Sequence, residues 1–174
     1  MIDSVLSWLG SSAIPNPHAV LVHFPVALLP VALLLDLACI MFRKRIWLDR
    51  TAATLYVLGT IGAAGAYLSG RIASEGMWTI AGEAQATMAD HEDLALLTLL
   101  AYCIVTLLRT LVTWLARDDW RIKLGFFRLL ALMASAAALV LLVVTADLGG
   151  ALVYRHGMGV EASSSDRPSA DALP

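Results

Sequence analysis

The residues most able to do chemistry in this 174-residue chain are its four histidines. Imidazole binds metals and exchanges protons near neutral pH, and the four lie at His18, His23, His91 and His156. The first two are five residues apart, so on a helix they point about 140° away from each other. A compact zinc site prefers ligands three or four residues apart. The spacing instead favours a group that takes one imidazole from each of two helices, as haem b does.

Four apolar segments must position these histidines. The chain is 59% hydrophobic and only 15% charged, with a mean hydropathy of +0.77, and about 20 apolar residues suffice to cross a bilayer. Spans are predicted at about 18–42, 51–72, 94–116 and 124–153, with a partly helical external loop over 73–88. The sequence therefore predicts an all-α integral membrane four-helix bundle of up-down topology, in contact with lipid. Residues 1–160 would form this transmembrane domain and 161–174 a disordered external tail.

The distribution of basic residues predicts the orientation, because cytoplasmic loops carry an excess of Lys and Arg. One group joins the first two spans and another joins the last two: Arg43, Lys44, Arg45 and Arg50, then Arg117, Arg121, Lys123 and Arg128. Both loops are therefore assigned to the cytoplasm, so both termini and all four histidines are expected outside. The basic residues form no continuous stripe, and nucleic-acid binding is not expected.

A histidine cluster at one membrane face is a hypothesis for a functional site, because imidazole there needs a partner, a metal or water. His23 lies deepest, which makes it the first choice of axial ligand, with His91 of the third span as its partner. His18 and His156 would form a second pair or support the first. A structural polar cluster and a proton-handling site remain open alternatives.

Three ionisable residues fall inside the predicted hydrocarbon region, namely Asp36, Arg109 and Asp147. Asp36 and Arg109 lie at matched depths, about 10 to 12 Å from the cytoplasmic boundary, which favours a structural ion pair over a proton route. Asp147 could orient a ligand histidine. A plain ion pair with Arg71 or Arg155 is the favoured alternative.

Small residues recur every fourth position in the second span, at Gly62, Ala66 and Gly70. Such a smooth ridge lets a helix or a flat ligand approach closely, and helix packing is the favoured interpretation. No Ser-His-Asp set, phosphate-binding loop, CxxC or CxxCH motif occurs in the sequence. No catalytic residues are therefore assigned, and the chain is not expected to be an enzyme.

Two blocks carry a resemblance to a known family: HAVLVHFPVAL at residues 18–28 and DLGGALVYRHGMGV at residues 147–160. With them the chain resembles a bacterial membrane family, domain of unknown function 2231. That family looks like a four-helix membrane module, and relatives are joined to Rieske iron–sulfur or c-type cytochrome domains. The resemblance implies electron transfer at the bacterial inner membrane.

The leading hypothesis is therefore a subunit that binds haem b through His23 and His91 and exchanges electrons with a redox protein or a larger membrane complex. The alternative is a scaffold or assembly subunit without a cofactor, whose ridge of Gly62, Ala66 and Gly70 packs on a partner's helix. Transport or proton conduction is the third possibility.

Overall fold

A computed structural model of the chain describes residues 17–42, 46–75, 82–115 and 125–158. The helices are α1 (Pro17–Leu21), α2 (His23–Met41), α3 (Ile46–Glu75), α4 (Glu83–Leu115) and α5 (Gly125–Tyr154). Within these ranges, and counting α1 and α2 as one span, four helical spans are long and apolar enough to cross a membrane. The predicted all-α membrane four-helix bundle is confirmed. Most of the basic loop residues and the tail from 161 onward lie outside the described residues.

The helices α3 and α4 extend further than hydropathy predicted, whereas the first and fourth spans keep their predicted lengths. The third span was expected to start near residue 94, whereas α4 starts at Glu83, inside the segment assigned to a loop. Hydropathy marks only the part of a helix that crosses hydrocarbon, and a helix can continue into the headgroup region. Glu83 in the first turn of α4 also interacts favourably with the positive end of the helix dipole.

The first span comprises α1 and α2, which meet at Val22. Pro25 has no backbone N–H, so it cannot donate to the carbonyl of Leu21 four residues earlier. Hydrogen bonds remain on either side of this point, from the Val22 amide to the His18 carbonyl at 3.1 Å and from the Val26 amide to the Val22 carbonyl at 3.3 Å. Val22 keeps helical dihedral angles, with φ −62° and ψ −24°, so the span continues as one helix in which this hydrogen bond is missing.

Consecutive helices pack side by side, and α2 also packs on α5, which closes the bundle. His18 near one described end and Met158 at the other line the same cavity, so both ends lie together. We call this the histidine end, since it also carries His91. The core between the two ends contains Leu29, Ala32, Tyr56, Tyr102, Val105, Ala138 and Leu142.

A buried network of charges joins all four spans at the opposite end, which we call the arginine end. The Arg109 side chain donates from Nε to Asp36 of α2 at 2.7 Å and from Nη2 to Asp49 of α3 at 3.0 Å. Arg128 of α5 donates to the same Asp49 oxygen at 2.7 Å. Asp36 and Arg109 thus form the pair expected from their depths. The parts that Asp49 and Arg128 take in this network were not predicted, because both residues flank basic loops and were expected to lie at the surface.

Replacing Arg109 by Leu should destabilise the fold by about 3–5 kcal/mol, because it leaves Asp36 without its cationic partner in a buried site. The double variant Arg109→Leu with Asp36→Leu should cost less, since Asp49 keeps Arg128. Thermal unfolding in detergent measures both. Arg71→Leu is the control, because its half-exposed pair with Glu92 should contribute at most about 1 kcal/mol. Equal losses for Arg109→Leu and Arg71→Leu would contradict the prediction.

Two tyrosines, Tyr56 and Tyr102, are fully buried in the core. The Tyr56 hydroxyl is 2.7 Å from the Ser135 hydroxyl of α5. The Tyr102 hydroxyl, in contrast, is the one buried side-chain polar atom among the described residues that has no hydrogen-bond partner. Burying an unpaired hydroxyl costs free energy that a paired one recovers.

The two tyrosines therefore form a matched test. Tyr102→Phe should leave stability unchanged or raise it by about 1 kcal/mol, because it removes only an unpaired group. Tyr56→Phe should cost about 1–3 kcal/mol, since it also leaves Ser135 unpaired. Chemical or thermal unfolding in detergent compares them, and a Tyr102→Phe loss as large as that of Tyr56→Phe would refute the assignment.

Candidate functional site

At the histidine end, His18 of α1 faces His91 of α4. Their ring centroids are 6.4 Å apart and their ring planes are nearly perpendicular, at 87°. The two residues come from the first and third spans, whose main helices α2 and α4 do not pack directly on each other. The pair therefore lies inside the bundle, where two spans face each other across its interior.

Each imidazole is held by a backbone carbonyl of a neighbouring span. His18 Nδ1 is 2.8 Å from the Ala66 carbonyl oxygen of α3, and His91 Nδ1 is 3.0 Å from the Thr145 carbonyl oxygen of α5. Because a carbonyl oxygen can only accept, each Nδ1 carries the proton. In the neutral ring Nε2 then bears the lone pair, which is the arrangement found in metal-binding histidines.

Two glycines allow the rings to pack against the neighbouring helices. A Cβ at Gly70 of α3 would lie 3.0 Å from His18 Cε1, and a Cβ at Gly149 of α5 would lie 3.1 Å from His91 Cε1. Both distances are shorter than ordinary van der Waals contact, so a side chain there would push the ring away. Each histidine of the pair therefore packs against a glycine of a neighbouring helix, His18 against Gly70 and His91 against Gly149.

A cavity of about 140 Å³ adjoins the histidine pair and is lined by all four spans. The lining residues are His18, Ala66, Tyr67, Gly70, Arg71, Ala73, Ser74, Met88, His91, Glu92, Ala95, Gly149, Leu152, Val153 and Met158. Met158 arrives through a turn after α5, in which Gly157 has a left-handed φ of 65° and the Met158 amide donates to the Leu152 carbonyl. Most of this surface is apolar, as in common ligand pockets.

The structure brings His18 to His91, whereas His23 was predicted to be the partner. His23 is exposed, and its Nδ1 lies 2.7 Å from the Ala19 carbonyl oxygen of its own span. Depth along the chain favoured His23, but the direction in which a side chain points decides which residues meet. The rotation of about 140° between positions 18 and 23 places them on different faces.

The remaining predicted residues are distributed around this pair. His156 lies in the turn after α5, with Nε2 3.5 Å from the Thr87 hydroxyl. Arg71 pairs with Glu92 at 3.3 Å. Asp147 is exposed, and within the described part of the chain no ion pair joins it to Arg71 or Arg155.

The small residues of α3 face the first span of the same chain. A Cβ at Gly62 would lie 2.6 Å from the Phe24 Cβ, and Ala66 and Gly70 both contact His18. This ridge is therefore covered by α1 and α2. It is not a free surface on which a partner's helix could pack.

Among the described residues, no three side chains of His, Cys, Asp or Glu are arranged to hold one metal ion. Within the described part of the chain, the site therefore offers two facing imidazoles, those of His18 and His91. Two ligands do not complete a tetrahedral zinc site, whereas haem iron needs only axial ligands from the protein.

Comparison with known proteins identifies the family. Residues 15–162 match the family described as predicted membrane protein, DUF2231, which is most of the 174-residue chain. The chain belongs to this family. No curated protein and no solved structure matches it. The matched range of the DUF2231 family includes all four spans and all four histidines.

Sequence reasoning missed the partners that orient the rings in this DUF2231 protein. The contacts with Ala66 and Thr145 cannot be predicted from residue type, since they are made by the backbone carbonyl that every residue has. A signal was present for Gly70 and Gly149, because glycine inside an apolar helix marks close approach.

Gly149 and Gly150 allow a matched test in this DUF2231 protein. Gly150→Ala should raise stability by about 0.5–1 kcal/mol, since no atom lies within 4 Å of the added Cβ and Ala favours helix. Gly149→Ala should lose that gain and displace the His91 ring. Unfolding in detergent and ¹⁵N NMR of labelled histidine report the two effects. Identical His91 signals in both variants would argue against the packing described.

Proposed function

We propose that this protein is a multi-pass membrane subunit that binds haem b between His18 and His91 and takes part in electron transfer. The observation that carries the proposal is the histidine pair, with its facing rings and carbonyl-held Nδ1 atoms. The axial pair proposed from the structure is thus His18 and His91, in place of His23 and His91.

The separation of the two rings leaves room for one metal ion between them. With metal–nitrogen bonds of about 2 Å, two imidazoles on opposite sides of a metal have ring centres roughly 6.4 Å apart. The observed centroid distance is 6.4 Å. Ring planes at 87° are compatible with this arrangement, because rotation about the metal–nitrogen bond leaves the separation unchanged.

The size of the cavity adds a condition to the proposal. About 140 Å³ is below the roughly 300–1,000 Å³ of common ligand pockets, so a porphyrin requires the spans to move apart at this end. Gly70 and Gly149 let the two imidazoles keep their places beside the cavity, since an added Cβ at either position would meet His18 or His91.

A bound haem b would supply reversible one-electron chemistry. The residues of the chain would fix its position and hydrogen bonding through the Ala66 and Thr145 carbonyls, and would keep water from it with Leu152, Val153 and Met158. We place the protein in a bacterial inner membrane with the histidine end outside, as the basic loops predict. Its partner would be a redox protein or a larger membrane complex.

A scaffold function was the alternative, and it relied on the ridge of Gly62, Ala66 and Gly70. That ridge is covered by the first span of the same chain, so no observation now favours it. A single function is therefore proposed.

Haem binding is tested by purifying the protein from cells supplied with iron and haem precursor and recording its visible spectrum. We expect a Soret band and a sharp reduced α band, the signature of two imidazole ligands. His18→Ala and His91→Ala should each lower bound haem at least about tenfold, because each removes a ligand of the iron.

His23→Ala is the matched control, since it removes the same side chain from the same span at an exposed position. It should leave the spectrum and the haem content unchanged. A wild-type protein without a Soret band would disprove the proposal. A loss of haem in His23→Ala equal to that in His18→Ala would disprove the assignment of the ligands.

A further inference from the structure

Two methionines line the cavity beside the histidine pair. Met88 belongs to α4 and Met158 follows the end of α5, and the same walls carry both imidazoles of the pair. Zinc in proteins takes thiolate, imidazole and carboxylate ligands, whereas the neutral thioether of methionine is a soft ligand that suits Cu(I). Imidazole also binds copper. The cavity therefore combines two kinds of side chain that favour a copper ion.

The backbone fixes the places of both methionines. Met88 precedes His91 by three residues on α4, so the two side chains lie on the same face of that helix. Met158 is held by the turn after α5, where its amide donates to the Leu152 carbonyl at 3.0 Å. Both methionine side chains are half-buried. The thioethers thus reach the cavity from two different spans.

His91 presents a nitrogen that can bind a metal. Its Nδ1 donates to the Thr145 carbonyl at 3.0 Å, and in the neutral ring Nε2 then carries the lone pair. Within the described part of the chain, the His91 side chain makes no other hydrogen bond. His91 and the two methionines therefore form a set of three ligands. The His18 ring lies opposite, with its centroid 6.4 Å from that of His91, and can complete the set.

The charges around the cavity favour an ion with a single positive charge. The one carboxylate in the lining is Glu92, and Arg71 binds it at 3.3 Å. Among the described residues, no three side chains of His, Cys, Asp or Glu are arranged around a metal. A doubly charged ion held by neutral ligands in a largely apolar cavity is costly. Cu(I) carries one charge and accepts neutral imidazole and thioether ligands.

We propose that Met88, His91 and Met158, with His18 opposite, form a binding site for one Cu(I) ion. A single ion needs far less space than the cavity of about 140 Å³, so the site exists in the bundle as it stands, without movement of the spans. The inference goes beyond the proposed function and does not depend on haem. Both metals would use the same imidazoles, so a chain that holds copper excludes haem.

The test is an anaerobic titration of the purified full chain in detergent, in which the protein competes with a chromogenic Cu(I) chelator. The wild type should withdraw one Cu(I) per chain. Met88→Leu and Met158→Leu should each lower the affinity at least about tenfold, because each removes a ligand. Leu keeps the volume of Met, so the fold is retained. X-ray absorption should show sulfur and nitrogen neighbours of copper in the wild type and no sulfur in the double variant.

Met133→Leu is the matched control, because Met133 is a 62% exposed methionine of α5 that does not line the cavity. A second control, Cys39→Ala with Cys103→Ala, removes two free thiols that also lie outside the cavity lining. Both controls should keep the copper affinity of the wild type.

The outcomes separate the copper site from the haem site. A wild type that leaves Cu(I) on the chelator would refute the copper site, as would Met88→Leu and Met158→Leu variants that bind as tightly as Met133→Leu. Loss of binding in the cysteine variant would refute it as well. The visible spectrum tests haem independently, so a protein that binds Cu(I) but shows no Soret band keeps the copper site and loses only the proposed function.

Discussion

The guanidinium of Arg109 is a permanent charge inside a membrane bundle, and the rest of the structure must accommodate it. It is 3% exposed and is neutralised by Asp36 and Asp49 from two other helices. Arg128 balances the second carboxylate from the fourth span. Since an unpaired charge in hydrocarbon is costly, rotating any of these helices out of register is strongly unfavourable. The network therefore fixes which faces of the helices meet.

The orientation of Arg109 also fixes the orientation of His91 at the other end of the bundle, because both residues lie on α4. His91 and Arg109 are 18 residues apart on one continuous helix, which is five full turns and about 27 Å. The two side chains therefore point to the same side. Orienting Arg109 inward also turns His91 toward α5, where the Thr145 carbonyl receives its Nδ1 proton. The hydrogen bond between the Thr98 and Thr145 hydroxyls, at 2.9 Å, adds a contact at an intermediate level.

Hydropathy and depth predicted the features that depend on position along a span. The four spans, the grouping of histidines and the pairing of Asp36 with Arg109 follow from counting residues against the thickness of a bilayer. Rotation was harder to predict, because depth alone selected His23, whereas its position on the helix turns it to a different face from His18. The pairing of Asp49 with Arg128 was missed for a related reason, since both lie close to the ends of predicted spans. Contacts made through backbone carbonyls, such as Ala66 with His18, are not visible in residue types at all.

The proline at position 25 also has a local consequence. It has no N–H to donate to the Leu21 carbonyl, while the hydrogen bonds from the Val22 amide to His18 and from the Val26 amide to Val22 continue the helix on either side. The turn below His18 is therefore held by fewer backbone hydrogen bonds than the rest of the span. The bond between His18 Nδ1 and the Ala66 carbonyl, at 2.8 Å, ties this weakened turn sideways to α3 instead.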